Sequence, residues 1–432
     1  MNKICILSLA AFVSLSTLPK LQAGGFGLKL NSGILAGQAN AGSAVISDPL
    51  AIFTNPAIAI LQTKMGIALQ GTGVFPSVRF RGKTTAPFLV NTIHDVNSQQ
   101  AAKNALIPAG AVIARLHNRV AIGLVSSVPF GLKFDYGRKW GGNRYVIQSA
   151  LETLNITPTL ALKLHDVLSL GIGFQLQHSE AILSSQTASS NGLAQLLLQN
   201  SGTRQKVKVH GWGEGWMTGF LFQPSKSLKL GFSYRSEIHT HLKGHVHFQN
   251  VPILLANTPA LQNTSARSKV KFPGIFTLSG SYDVTSKWTT LFDIIRTNWS
   301  SINQIVLATP NNSQATVIQQ KWKDTWFFSG GVNYQYSPCW LFRTGIAYDR
   351  RASRSRFRVP GIPDSDKIWT AIGATYSWNK RLSTSVSYGH EFIRKARVNL
   401  LQANPGNADK GNLTGHIRQH VDLVSLQINY QF

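Results

Sequence analysis

From near Met65 to the last residue, the sequence repeats one rhythm: a run of alternating apolar and polar side chains, then a break. In "LSLGIGFQLQ" (168–177), Leu168, Leu170, Ile172, Phe174 and Leu176 share one face, and Ser169, Gly171, Gly173, Gln175 and Gln177 share the other. "LKLGFSYR" (228–235), "FRTGIAYD" (342–349), "LSTSVSYG" (382–389) and the terminal "SLQINYQF" (425–432) repeat it. A period of two predicts β-strands with one greasy and one polar face. The pattern alone fits a soluble sandwich or a membrane barrel. The breaks separate the two. Tight turns are expected at 116–119, 164–167, 223–227, 284–287, 337–340 and 379–381. Long linkers are expected at about 81–106, 131–145, 185–205, 249–268, 301–317, 352–365 and 397–416. Short turns alternating with long loops are the signature of a bacterial outer-membrane barrel. Six turns and seven linkers give fourteen antiparallel strands. A strand that runs to the terminal Phe432 needs a partner on each side, which barrel closure provides. It is also the kind of end that a barrel assembly machinery would recognise.

The N-terminus agrees. Lys3, an apolar run from Ile4 to Leu18 and "LQA" at 21–23 read as a secretory signal peptide with cleavage after Ala23. The run is too short for a spanning helix. Cys5 leaves with it, so Cys339 has no intrachain partner. The formal net charge is +26, of which Lys3 and Lys20 lie in the removed segment. Such a surplus calls for an anionic neighbour. Nucleic acid does not suit an exported chain; the phosphate-rich outer leaflet does, and the cluster "RRASRSRFR" (350–358) is expected to contact lipopolysaccharide. Tyr and Trp near the strand ends suit an interfacial girdle, although strands favour aromatics anyway.

Residues 24–64 do not follow the strand rhythm. They are rich in Gly, Ala and Ser, and a plug inside the lumen is expected, with a disordered leader as the other reading. Within them, "GSAVISDPLAIFTNPA" resembles the N-terminal hatch signature of the FadL/TodX family of outer-membrane long-chain fatty-acid and hydrocarbon transporters. Gly42, Ala44, Asp48, Phe53, Asn55, Pro56 and Ala57 carry the likeness; Pro49, Leu50 and Ala51 depart from the family's usual Ala-Ser-Thr. Segments 211–244, 322–349 and 362–390 resemble the family's wall strands.

The resemblance implies passive transport of hydrophobic molecules, without cofactor, metal or catalysis, and assigns roles. Phe26, third in the mature chain, would contact ligand. Asn55, Pro56 and Ala57 would form a gate; the residues alone read equally as a rigid turn. Ser126, Ser127, Pro129 and Gly131 would mark a sideways opening in the third strand, where Pro129 cannot donate to a ladder. Two loops are oddly apolar for water-facing segments, and an exposed apolar patch points to a binding surface. Leu193, Leu196, Leu197, Leu198, Ile253, Leu254 and Leu255 would line it, or pack only on each other. Alternation places Lys229, Arg235, Lys323 and Arg343 inward, with Lys323 and Arg343 as candidate contacts for a carboxylate head group. The family's other basic contact falls near Glu180. His239, His241, His245 and His247 lie along one strand face, a spacing that does not converge on a metal. The rival functions are a nonspecific porin, and a barrel adhesin or lipid hydrolase.

Overall fold

The structure, a computed structural model, describes residues 25–85, 93–189, 191–310, 312–404 and 406–432. The expected signal peptide lies outside them. Fourteen antiparallel wall strands close a barrel. They are β1 (Gly66–Thr85), β2 (Ala105–His117), β3 (Val120–Ser127, resuming at Gly131–Asp135), β4 (Gln148–His165) and β5 (Leu168–Gln186). Next come β6 (Arg204–Phe222), β7 (Leu228–Arg235 and Ile238–Gln249) and β8 (Thr264–Phe272 and Ile275–Asp283). The wall continues through β9 (Trp288–Thr297 and Gln304–Thr309), β10 (Asn312–Gln319 and Thr325–Gln335) and β11 (Trp340–Asp349). It finishes with β12 (Lys367–Ser377), β13 (Leu382–Leu400) and β14 (Leu413–Gln431). β14 pairs with β13 and, from Gly66↔Gln431 to Thr84↔Leu413, with β1. Phe432 N donates to Met65 O at 3.0 Å, so the ladder holds to the last residue.

Burial decides between sandwich and membrane barrel. On β14 the apolar residues are the exposed ones: Val424 is 47% and Leu426 50% exposed, while Ser425 and Gln427 are each 1% exposed. In water that inversion would be costly; against lipid it is the stable arrangement. The same holds for Ile172 and Phe174 on β5, outside Gly171 and Gln175.

Two linkers are shorter than the sequence rhythm suggests. Gln304–Thr309 and Asn312–Gln319 form a hairpin registered Gln304↔Gln319, where a loop over 301–317 is expected. Gly131–Asp135 is strand rather than linker. Beyond the bilayer no lipid demands an apolar face, so the alternation fades while the ladder continues.

Inside the barrel lies the N-terminal segment. It holds a one-turn helix α1 (Gly33–Ala36) and two 3₁₀ turns, Pro49–Phe53 and Pro56–Leu61. The turns start alike. Asp48 and Asn55 are N-caps whose side chains accept from Leu50 N and Ala57 N, each followed by proline at the first turn position. Every residue from Ala36 to Val45 is buried.

Candidate functional site

The hatch is fitted to the wall through glycines that face the lumen. A Cβ on Gly171 would lie 2.2 Å from Ala57 N, one on Gly219 2.0 Å from Asn55 Oδ1, one on Gly231 2.2 Å from Ala44 O, and one on Gly345 2.2 Å from Gln38 O. Hatch backbone lies against Gly171, Gly231 and Gly345, and the Asn55 side chain against Gly219, approaches that only glycine permits.

Polar clamps fix it further. Asp293 on β9 is buried and accepts from Gly42 N (2.8 Å), Ser43 N (3.0 Å), Asn40 Nδ2 (3.2 Å), Ser279 Oγ (2.6 Å) and Ser43 Oγ. Asn40 and Gly42 have φ of 67° and 76°, so this turn bends its N–H groups onto one carboxylate. Asp48 accepts from Ser32 Oγ and from Gln427 Nε2 of β14 (2.8 Å); burial pushes its carboxyl up from the ordinary value, against these hydrogen bonds. Arg343 sits beside Asp48 and donates to Thr375 Oγ1. Arg235 lies 3.7 Å over the Phe53 ring and donates to Gln175 Oε1.

Asn55, Pro56 and Ala57 are all buried. Asn55 Nδ2 donates to Ala44 O (2.9 Å) within the hatch and to Phe220 O (3.0 Å) on β6, while Oδ1 accepts from Ala57 N (3.0 Å). The side chain is fully engaged and ties hatch to wall.

Phe26 is in a different place. Its ring centroid lies 5.0 Å from that of Trp299, 5.4 Å from Trp322, 5.9 Å from Phe130 and 6.1 Å from Phe272. Gly27 forms an antiparallel bridge with Phe130, through Leu28 N to Pro129 O (2.7 Å) and Gly131 N to Phe26 O (2.9 Å). The bridge covers a break in the wall. β2 pairs with β3 from Gly110↔Ser126 to His117↔Val120, and the next pair is Ala102↔Phe134. Residues 103–109 and 127–133 make no ladder with each other, a gap of about 20 Å at strand rise. Pro129 supplies no donor there, and the chain from Ser127 to Leu132 turns inward and is wholly buried. On the β4 side Thr153 Oγ1 replaces the ladder, accepting from Phe130 N and donating to Phe130 O. Pro129 and Gly131 therefore meet the N-terminal segment, while Ser126 is still in the β2–β3 ladder and Ser127 is registered with Asn155 of β4.

Lys323 is not lumenal. It lines a cavity with Trp326, Phe328 and Tyr348, all exposed on the lipid side. Alternation fails because residues 320–324 leave the ladder and Lys321 has φ 44°. Arg343 is inward but belongs to the hatch clamp, apart from Phe26. Glu180 faces outward and pairs with Lys208 at 3.0 Å. The lumenal cations the sequence reading missed are Lys29 and Lys367. Lys29 meets Asp349 at 3.2 Å, and Lys367 meets Glu391 at 3.2 Å and Asp349 at 3.7 Å.

The two apolar loops differ in shape. Leu193 and Leu196, on helix α2 (Gly192–Asn200), are 70% and 57% exposed; Ile253 and Leu254 are 93% and 81% exposed. Leu197 and Leu255 are half-buried, and Leu198 is buried. Thr203 Oγ1 donates to Asn250 O, joining the loop bases. Segment 350–358 is only in part a free basic surface: Arg350, Arg354 and Arg356 are exposed. Arg351 pairs with Asp366, and Arg358 is buried against Ser353 and the Arg397 carbonyl. The following residues, 360–365, are buried, and Asp364 accepts from Gly25 N.

Comparisons with known proteins converge. The family model described as outer membrane protein transport protein (OMPP1/FadL/TodX) matches residues 13–432. The long-chain fatty acid transport protein of Salmonella typhi is 25% identical over 394 residues, covering 87% of this chain and 89% of the relative. The crystal structure of a Pseudomonas aeruginosa FadL homologue superposes with a TM-score of 0.85 at 22% identity, over 95% of this chain and all of the other. The toluene transporter TbuX of Ralstonia pickettii gives 0.65 at 18% identity, over 95% and 99%.

Proposed function

The chain belongs to the OMPP1/FadL/TodX family of outer-membrane transporters of hydrophobic molecules, and from that premise we propose the route and the cargo. Cargo lands on the exposed leucines and isoleucine of the two outer loops, where burying its apolar surface contributes about 25 cal/mol per Å². It then displaces Phe26 from the aromatic cage and leaves sideways through the β2–β3 gap into the membrane. No energy source or cofactor is needed. The observation that carries this reading is the interrupted β2–β3 ladder, covered from inside by Gly27 and its neighbours. The Asn55–Pro56–Ala57 corner serves as the fixed end of the hatch about which the first residues move. Lipopolysaccharide and the barrel assembly machinery are the expected envelope partners.

Long-chain fatty acids are the proposed cargo, in line with the alkyl-rich loops and the fatty-acid relatives. A neutral aromatic hydrocarbon is the second reading. One observation favours it: the lumenal cations Lys29 and Lys367 are already matched by Asp349 and Glu391.

A reversible crosslink tests the route. Gly27→Cys with Phe130→Cys, in a Cys339→Ser background, puts two thiols at a directly opposed antiparallel pair. Oxidation is expected to abolish uptake of a fluorescent long-chain fatty acid, and reductant to restore it. Equal uptake in both states would exclude this path.

A further inference from the structure

Segment 350–358 commits Arg351 and Arg358 to partners within the fold, and a second group of cations gathers elsewhere. On β13 the register shifts between Ile393↔Gln419 and Ala396↔Ile417, one extra residue on β13. Such a bulge re-aims side chains. Here it leaves Arg394, Lys395 and Arg397 all exposed on the outer face. Arg418 of β14 lies opposite the bulge, and β1 sets Arg79 directly across from Arg418 and Arg81 across from His416. All of these arginines are exposed. Like charges directly opposed on a sheet are destabilising unless something anionic lies between them. Among the described residues none of the six forms an ion pair. The carboxylates beside the patch are engaged elsewhere: Asp422 bonds His390 and Tyr388, Asp95 is registered against Lys83, and Asp366, whose carbonyl accepts from Arg394 N, pairs with Arg351.

Height fixes what could lie there. Below the patch, Val424, Leu426 and Ile428 on β14 and Phe75 on β1 face lipid. From Tyr430 up to Arg418 the strand climbs roughly 30 Å, taking about 3.4 Å per residue and a tilt near 40°, just above an apolar band about 25 Å tall. The cations therefore stand at the head-group level of the outer leaflet. Beside them runs an outer groove of about 560 Å³ with Ile368, Phe392 and Tyr348 as apolar lining and Arg394 and His420 at its polar edge.

We propose that the outer face of β13, β14 and β1 binds the phosphates of a phosphorylated outer-leaflet glycolipid, with an acyl chain against Phe392 and Ile368. Guanidinium groups bind phosphate by paired hydrogen bonds, and the β13 bulge gathers the donors into one patch. The proposal rests on the outer-membrane placement and is independent of which cargo moves through the lumen.

The test uses full-length protein in detergent, with lipid A carrying both phosphates and the same lipid A dephosphorylated, and measures dissociation constants by native mass spectrometry. The variant Arg394→Gln/Lys395→Gln/Arg418→Gln should weaken binding of the phosphorylated lipid about tenfold or more. Its affinity for the dephosphorylated lipid should hardly change. A charge-matched control on the far wall, Lys206→Gln/Lys243→Gln/Lys269→Gln, should stay close to wild type. Equal loss in the control would reduce the effect to net charge, and an unchanged triple variant would remove the site. Full displacement of the lipid by millimolar inorganic phosphate would make it a simple anion site and overturn the lipid assignment. If the triple variant loses its heat-modifiable migration, the wild type decides: equal affinity for the two lipids contradicts the proposal. Uptake is not the readout, so failure here leaves the transport reading standing, and the reverse.

Discussion

The lower hatch and the first described residues of the same segment are held in opposite ways. Residues 40–57 are fastened to ladder residues: Asp293, Ser279, the Phe220 carbonyl, and glycines 171, 219 and 231. Residues 25–28 are fastened mainly to an outer loop and to the edge of the wall gap: Asp364, Pro129 outside the ladder, and Gly131, which is paired on its β4 side alone. A contact can move only if its partner can move or if the contact breaks. The lower clamp would have to leave several buried donors unpaired, each costing about 1–3 kcal/mol. The upper cover can shift together with the segments it touches. The difference places the moving part at the wall gap and the fixed part at the Asn-Pro corner.

The largest effect should come from filling a wall glycine. Gly171→Ala drives a methyl into the Ala57 backbone, which cannot yield without displacing the hatch, so a cost above about 3 kcal/mol is expected. Planar-bilayer recordings should then show a large leak. Gly330→Ala is the matched control; it has open space around it and should stay silent. A quiet Gly171→Ala channel would mean that the hatch fit is loose.

Asp293→Ala should follow closely. It strands Gly42 N, Ser43 N and Ser43 Oγ, and about 3 kcal/mol of hatch stability should go. The expected readout is faster protease cleavage at residues 38–45 in a barrel that still migrates as folded. Unchanged protection would show that the glycine contacts alone hold the hatch.

The smallest effect belongs to neither region. Changing Leu196, Leu197, Ile253 and Leu254 together to Ser should lower uptake several-fold at low cargo concentration and fade near saturation, because the cage at Phe26 is untouched. Loss at every concentration would point to a blocked channel instead.

The barrel was legible because lipid enforces a strict period of two and the turns alternate in length, down to Phe432. Asn55-Pro56 was readable as a rigid turn; that Asp48-Pro49 opens a second capped turn of the same kind is visible only in the fold. The clamps were not readable. Nothing in Gly171 or Gly219 says that a hatch residue will lie against it, since that depends on two segments far apart in sequence. Asp293 reads as any polar residue on an inward face. Lys323 misled because alternation was extended through residues that leave the ladder, and composition does not show that Arg351 and Arg358 of segment 350–358 are used within the fold. Phe26 was named from the resemblance, but its cage of Phe130, Phe272, Trp299 and Trp322 is assembled only by closure.

Amide hydrogen exchange on the folded protein, with and without a saturating long-chain fatty acid, tests the contrast most directly. The account predicts that Gly42, Ser43 and Ala57 remain protected in both conditions, while Leu28 and Gly131 exchange faster and change when cargo is added. Protection that is lost at Gly42 and Ala57 on adding cargo, with Leu28 and Gly131 unmoved, would contradict it and return the gate to the Asn55–Pro56–Ala57 corner.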